Sequence, residues 1–201
     1  MIIPKNEEKV IVEFSSASEE IIVEKNAKLK MFSLYFGQDV EEKHSIILKE
    51  NAQVEYYLLF FGKDKDNIEI NGSCVHQGSN SVSRMNVCGV LLGEAKAKFD
   101  GLIRVEKKAV NCQGYQQEHA LLCGERAKAM LIPNLEIANN EVQCSHGATV
   151  SKIDEEQLFY LTSRGIAQKE AEKMLIEGFL NEIINILPVS YQEQARRKLD
   201  A

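Results

Sequence analysis

An approximate internal repeat constrains the fold of this chain more than any other feature of its sequence. Residues 23–37 resemble residues 48–62 at an offset of 25 positions. Further along, Gly101–Glu106 resembles Pro133–Ala138 at an offset of 32, and the preceding glycine- and alanine-containing turns repeat at 31 to 32. Repetition of strands and turns at such a nearly constant spacing is typical of a β-solenoid, in which each coil stacks on the previous one. Alanines that recur after an asparagine or glutamate predict corners where adjacent coils approach closely.

Short β-rich segments fill the chain between residues 10 and 150, separated by clusters of glycine, asparagine and lysine. The chain has only three prolines, so few positions forbid strand pairing. An antiparallel β-sandwich is the alternative, but Asn71-Gly72 is the only tight hairpin signal. We therefore favour the solenoid. The predicted strands are Val10–Phe14, Glu20–Glu24, Leu29–Phe36, His44–Leu48, Val54–Phe61, Ile68–Ile70, Val82–Leu92, Leu102–Val105, Leu135–Ile137 and Val142–Val150.

The character of the sequence changes to helical at Ile153. Acidic residues precede a predicted helix over Gln157–Ser163, and Gly165 is placed to cap its C-terminus. A second helix is predicted over Gln168–Leu187, and a short polar one over 190–200. We predict a β-helix region over 1–152 and a helical segment over 153–201. That segment is either a cap that packs against the solenoid end and covers its sheet edge, or a partner-binding element.

Composition excludes several classes of function. The net charge of −6 argues against nucleic-acid binding, and no apolar run is long enough to span a membrane. The N-terminus lacks the pattern of a secretory signal, so we expect a cytoplasmic protein whose five cysteines are reduced thiols. Hydrolase, phosphate-binding and metalloprotease motifs are absent, so no enzyme is predicted. A carbohydrate-acting β-helix enzyme is disfavoured by the absence of tryptophan.

Two C-x-H units are the strongest candidates for metal chemistry, Cys74-Val75-His76 and Cys144-Ser145-His146. In a strand, residues i and i+2 share a face, so each unit offers a thiolate and an imidazole to iron, zinc or copper(I). The alternative is structural, because buried cysteine behaves as a small hydrophobe. The glutamine-rich segment 111–118 predicts amide ladders between coils or a polar lining for a site. The remaining cysteines are expected to face the solenoid interior as core residues, namely Cys88, Cys112 and Cys123.

The C-terminal third closely resembles the SufB/SufD family of iron–sulfur cluster assembly proteins. The likeness is specific over about residues 100–187 and looser over about 20–100. The motif C-S-H-G-A-T resembles that of the D-type proteins of the family. The B-type proteins usually have H-E-A-T, and Gly147 occupies the position of that glutamate. The matching stretches are Pro133–Ile137, Val142–Val150, Ile153–Leu161 and Ser163–Ile166.

The resemblance implies a right-handed parallel β-helix followed by a helical segment. Family members form a complex with SufB and the ABC-type ATPase SufC, receive sulfur and iron, and build a transient iron–sulfur cluster where two β-helix subunits meet. By this likeness His146 matches a D-type cluster ligand, Cys144 is its neighbouring cysteine, and the C-terminal helices dock the ATPase. The implied role is a non-enzymatic scaffold. The alternative is a structural subunit that holds the ATPase without binding metal.

The chain departs from the family at two points. Glu118 stands at the place of the B-type's sulfur-accepting cysteine, so Cys112 and Cys123 are the candidates to carry sulfur instead. The larger N-terminal helical region common in the family is missing from this sequence. We therefore expect the chain to work with a separate SufB-like subunit or as a homodimer, and to receive sulfur from its donor indirectly.

Overall fold

The computed structural model describes residues 1–14, 19–37 and 39–200. Consecutive strands in this part of the chain alternate between two sheets, and every neighbouring pair within a sheet is parallel. The strands are β1 (Ile2–Ile3), β2 (Glu8–Glu13), β3 (Glu19–Val23), β4 (Lys28–Phe36), β5 (Val40–Leu48), β6 (Gln53–Gly62), β7 (Asn67–His76), β8 (Val82–Leu91), β9 (Lys96–Val105), β10 (Cys112–Leu122), β11 (Lys128–Ile137) and β12 (Val142–Lys152).

Each coil of the chain contributes one strand to each sheet. The odd sheet runs β1-β3-β5-β7-β9-β11, and the even sheet runs β2-β4-β6-β8-β10-β12. This is the predicted parallel β-solenoid, and the antiparallel sandwich is wrong. Asn71-Gly72 lies inside β7, where a Cβ on Gly72 would lie 3.0 Å from the Phe99 ring. The glycine there makes room for a core aromatic and does not form a hairpin.

The strand register confirms the repeat and shows that the coils lengthen along the chain. Leu29 pairs with Val54 and Gly101 pairs with Pro133, so both offsets seen in the sequence are steps from one coil to the next. At the N-terminal end the step is shorter still, because Glu8 pairs with Lys28. The solenoid therefore widens from its first coil to its last.

One row of corners is built from asparagines in the left-handed conformation, which asparagine tolerates better than most residues. Their amides form ladder bonds between coils, from Asn26 Nδ2 to Asn6 Oδ1 and from Asn51 Nδ2 to Asn26 Oδ1, each 2.8 Å. The buried alanines Ala27 and Ala52 follow two of them, as predicted for corner positions. Positive φ angles of 55–62° occur in this row at Asn6, Asn26, Asn51, Asn80 and Asn111.

Three helices follow the last strand: α1 (Glu155–Ser163), α2 (Gln168–Ile184) and α3 (Val189–Asp200). The Asp154 carboxylate accepts hydrogen bonds from the backbone N–H groups of Glu156 and Gln157, and Gly165 ends the first helix at φ 88°. These ends agree with the capping residues seen in the sequence. Among the described helices none is long and apolar enough to cross a membrane.

Helices α2 and α3 cover the outer face of the even sheet, so the alternative in which the helical segment packs against the solenoid end is wrong. Leu180 and Ile184 of α2 belong to the same buried cluster as Phe32, Leu59 and Val90. The even sheet is apolar on both faces because one side lines the solenoid interior and the other supports α2 and α3. The division into regions 1–152 and 153–201 stays a prediction.

Candidate functional site

The last coil leaves one end of the solenoid uncovered in the described structure. Strands β11 and β12 are the terminal strands of their sheets, so each has one unpaired edge. Most side chains of β12 are exposed, whereas most of those of its neighbour β10 are buried or partly buried. We call the surface formed by β11 and β12 the open end.

Cys144 and His146 lie on β12 at this open end. A Cβ on Gly114, the residue of β10 paired with Cys144, would lie 3.2 Å from Cys144 Sγ, so this thiol points toward the solenoid axis. His146, two residues further along the strand, occupies the same face and pairs in register with Gln116. Cys144 is partly buried and His146 is exposed. The two donors therefore share one inward face that the uncovered coil leaves accessible.

Cys112 lies on β10, in the coil below Cys144 and two residues before its partner Gly114. Its thiol is fully buried in a small cluster with Val105 and Ala109, and Cys144 packs against that cluster. The Cys112 Sγ lies 3.4 Å from the Ser81 hydroxyl. Burial raises the pKa of the Cys144 thiol, so metal binding there would have to displace a proton.

Gln116 and Glu118 face the solenoid interior from β10, one coil below the open end. Their exposed fractions are 1% and 0%, and the Gln116 amide donates a hydrogen bond to Glu118 Oε1. Burial raises the pKa of Glu118 to about 7. A Cβ on Gly101, across the interior on β9, would collide with the Gln116 amide, so this glycine makes room for the pair. The only sequence signal for this buried polar pair was the glutamine-rich segment 111–118, which predicted amide ladders or a polar lining.

The first C-x-H unit has a structural environment. Both Cys74 and His76 are fully buried, and the two ring nitrogens of His76 lie 2.7 Å and 2.8 Å from the hydroxyls of Ser81 and Ser83. Burial lowers the pKa of His76 to about 4 and raises the pKa of Cys74 to about 12. A neutral, hydrogen-bonded imidazole and a protonated thiol fill the core here.

The two other cysteines do not face the interior, so that prediction is wrong for both. Cys88 points outward from the even sheet, and its Sγ lies 3.6 Å from the Phe179 carbonyl oxygen of α2. Cys123 follows β10 and packs against the same apolar layer beneath the helices. Of the two candidate sulfur carriers, only Cys112 lies on the same side of the sheet as Cys144.

No group of three or more His, Cys, Asp or Glu side chains within residues 1–14, 19–37 and 39–200 is arranged to hold a metal ion. Cys144 and His146 thus form at most half of a tetrahedral iron site. Completing such a site requires donors from outside this group.

Sequence comparison relates this chain to known iron–sulfur cluster assembly proteins. An iron-sulfur cluster assembly SufBD family protein of Synechocystis is 33% identical over 135 residues, which are 67% of this chain and 28% of that protein. Iron-sulfur cluster assembly protein SufD of Escherichia coli is 43% identical over 98 residues, which are 49% of this chain and 23% of SufD. The chain thus matches only about a quarter of the length of these relatives. Residues 5–179 match the family model "SUF system FeS cluster assembly, SufBD core domain", and the chain belongs to this family.

Proposed function

We propose that this chain is a non-enzymatic scaffold subunit on which a nascent iron–sulfur cluster is ligated between two β-helix subunits. The observation that carries the proposal is the position of Cys144 and His146 on the inward face of a terminal strand with an unpaired edge. A thiolate and an imidazole are both established types of ligand for cluster iron. The cluster is cargo in this role, built and passed on.

The second subunit of the proposed interface is a SufB-like protein or another copy of this chain. Unpaired strand edges pair readily with other strands. The open end also exposes large apolar side chains, with exposed fractions of 58% at Met130 and 43% at Val150. A partner that covers them would bring its own donors to complete the half site of Cys144 and His146.

The helices are the proposed docking surface for a SufC-type ATPase. Every residue of helix α1 is at least partly exposed, and Phe159 and Tyr160 on it are 72% and 56% exposed. Aromatic side chains exposed in this way suit a protein interface. ATP hydrolysis is assigned to the partner, because the sequence contains no phosphate-binding loop.

Sulfur is proposed to arrive indirectly, by way of the second subunit. Glu118 cannot carry a persulfide because it has no thiol. Cys112 is the favoured relay candidate in this chain, since it lies in the cluster against which Cys144 packs, whereas Cys123 lies beneath the helices.

The test is anaerobic purification of the complex formed with SufB-like and SufC-type subunits, followed by iron, sulfide and subunit analysis. We expect His146→Ala and Cys144→Ser each to lower iron and sulfide on the order of tenfold, by removing a ligand. Ser145→Ala, between them on the opposite face of the strand, is the matched control and should leave both contents unchanged. Wild-type iron and sulfide in both ligand variants, with the subunits still associated, would instead support the structural role without metal binding.

A further inference from the structure

A buried carboxyl–amide pair below the open end lacks part of its hydrogen bonding. Gln116 Nε2 bonds to Glu118 Oε1, but Glu118 Oε2 and Gln116 Oε1 are buried and have no hydrogen-bond partner among the described residues. Buried polar atoms in folded proteins are nearly always paired, and an unpaired one calls for a specific explanation. Two buried oxygens without hydrogen-bond donors are what a cation-binding site would provide.

The described surroundings of the pair supply no positive charge. Glu118 Oε1 accepts a hydrogen bond from the Gln116 amide, Glu118 Oε2 has no partner among the described residues, and the Asp100 carboxylate adds negative charge nearby. A buried carboxylate needs a proton, a cationic side chain or a metal ion to balance it. Since no cationic side chain in the described part of the chain acts on this carboxyl, a proton or a metal ion must fill that role.

A third donor lies directly above the pair. His146 of β12 is in register with Gln116 of β10, and both occupy inward positions on adjacent coils. Directly opposed side chains on neighbouring strands lie close enough to share a ligand. Gly101 opens the space beside the pair, since any side chain there would collide with it. Glu118, Gln116 and His146 thus occupy neighbouring inward positions on two adjacent coils just below the open end.

We propose that Glu118, Gln116 and His146 form a divalent-cation site that holds a ferrous ion before it meets sulfide. Carboxylate and amide oxygens select hard cations, and imidazole extends the choice to iron, in contrast to the soft thiolate of Cys144. The inference rests on the proposed function only in naming iron as the cation. The cation site itself is a property of the isolated chain, so it can be tested without partners or sulfide.

The test is a titration of the isolated chain with Co²⁺ alone, followed by calorimetry and visible absorption. We expect one Co²⁺ to bind with d–d bands and without a thiolate-to-cobalt charge-transfer band. Glu118→Gln should weaken binding by about tenfold or more, because it removes the only carboxylate of the set. The control is Glu141→Gln, which changes an exposed glutamate at the corner before β12 and should bind like wild type.

Further variants separate this inference from the proposed function. Cys144→Ser should retain Co²⁺ binding, whereas Gln116→Leu should weaken it; thermal unfolding of each variant confirms its fold. The inference is overturned if wild type binds no Co²⁺, or if Glu118→Gln and Gln116→Leu both bind it like wild type. A charge-transfer band that disappears in Cys144→Ser would also reject this site, while leaving the proposed cluster ligation by Cys144 intact.

Discussion

At the scale of single residues, His76 and Glu118 are both buried in the solenoid interior, and their pKa values shift in opposite directions. Burial lowers the pKa of His76 to about 4 and raises the pKa of Glu118 to about 7. Each shift favours the uncharged form, because charge is unfavourable in the interior. The two groups therefore make stability depend on pH in opposite directions, and their effects partly cancel in the native protein.

For His76, stability should fall as the pH is lowered. Below the ordinary histidine pKa of 6.5 the unfolded chain binds a proton, whereas the folded chain resists doing so until about pH 4. The free energy of unfolding should therefore drop by about 2 kcal/mol between pH 7 and pH 5 on account of this residue. Urea denaturation at both values measures it. His76→Asn should lack this part of the pH dependence, and an unchanged slope in the variant would contradict the assignment.

For Glu118, stability should fall as the pH is raised. Above the ordinary glutamate pKa of 4.5 the unfolded chain releases a proton, whereas the folded chain retains it up to about pH 7. This carboxyl should make the protein less stable by about 2 kcal/mol at pH 7 than at pH 5. Glu118→Gln removes the effect, as urea denaturation with a metal chelator would show. If Glu141→Gln, at an exposed site, changed the slope equally, Glu118 would not be its source.

The two C-x-H units show what a pattern of residues can and cannot predict. The spacing predicts a thiol and an imidazole on one strand face in each unit, and the alternating burial of β7 confirms this for the first unit. Their surroundings differ because coils cover His76 on both sides, whereas His146 lies on the terminal strand of its sheet. The number of coils above a strand is a long-range property, so local spacing cannot reveal it.

At the scale of elements, the asparagine corners set how the coils stack. Asn51 adopts φ 58° and donates a 2.8 Å hydrogen bond to Asn26 in the coil below. Both its conformation and its side-chain amide therefore contribute to the corner.

Replacement of Asn51 by alanine should lower the free energy of unfolding by about 2 kcal/mol. Alanine loses the ladder hydrogen bond and is strained in the left-handed region. Asn51→Gly should be less harmful, since glycine avoids the strain. Asn140→Ala provides the comparison, because Asn140 is exposed and has no positive φ. Thermal or urea unfolding ranks the three variants, and equal losses at positions 51 and 140 would argue against the ladder.

Helix α2 is expected to be part of the hydrophobic core. Leu180 is fully buried in the layer between this helix and the even sheet, whereas Met174 is 45% exposed. Leu180→Ala should destabilise the protein by about 2–5 kcal/mol, and Met174→Ala by much less. A chemical denaturation curve for each variant tests this. Similar small losses for both would show that the helix is loosely attached.

The elements were predictable where local signals are strong. The acids at the start of α1 and Gly165 after it marked the ends of this helix, and the structure confirms the helix. Strand β10 was missed because its inward positions carry Gln116 and Glu118, which do not resemble a core strand. The missing side chain of Gly101 leaves room for these two polar side chains, and local sequence patterns do not show which residues face each other across the interior.

At the scale of the whole molecule, protection of backbone amides should vary along the solenoid. Strands β6 and β8 are paired on both edges and covered by α2, whereas β12 has one unpaired edge and exposed side chains. Hydrogen exchange followed by mass spectrometry should therefore be slower in β6 and β8 than in β12. Binding of a second subunit at the open end should slow exchange in β12 specifically. Uniform exchange along the chain would contradict this gradient.

The widening of the coils also limits how copies of this chain can associate. A uniform solenoid can stack head to tail without limit, because its two rims match and a filament results. In the described part of this chain, the first coil contains the short strands β1 and β2, whereas the last coil ends in the much longer strand β12. A strand that pairs along the whole edge of β12 must match eleven residues, and β2 has only six. The taper thus makes the edge of β2 a poor match for the edge of β12.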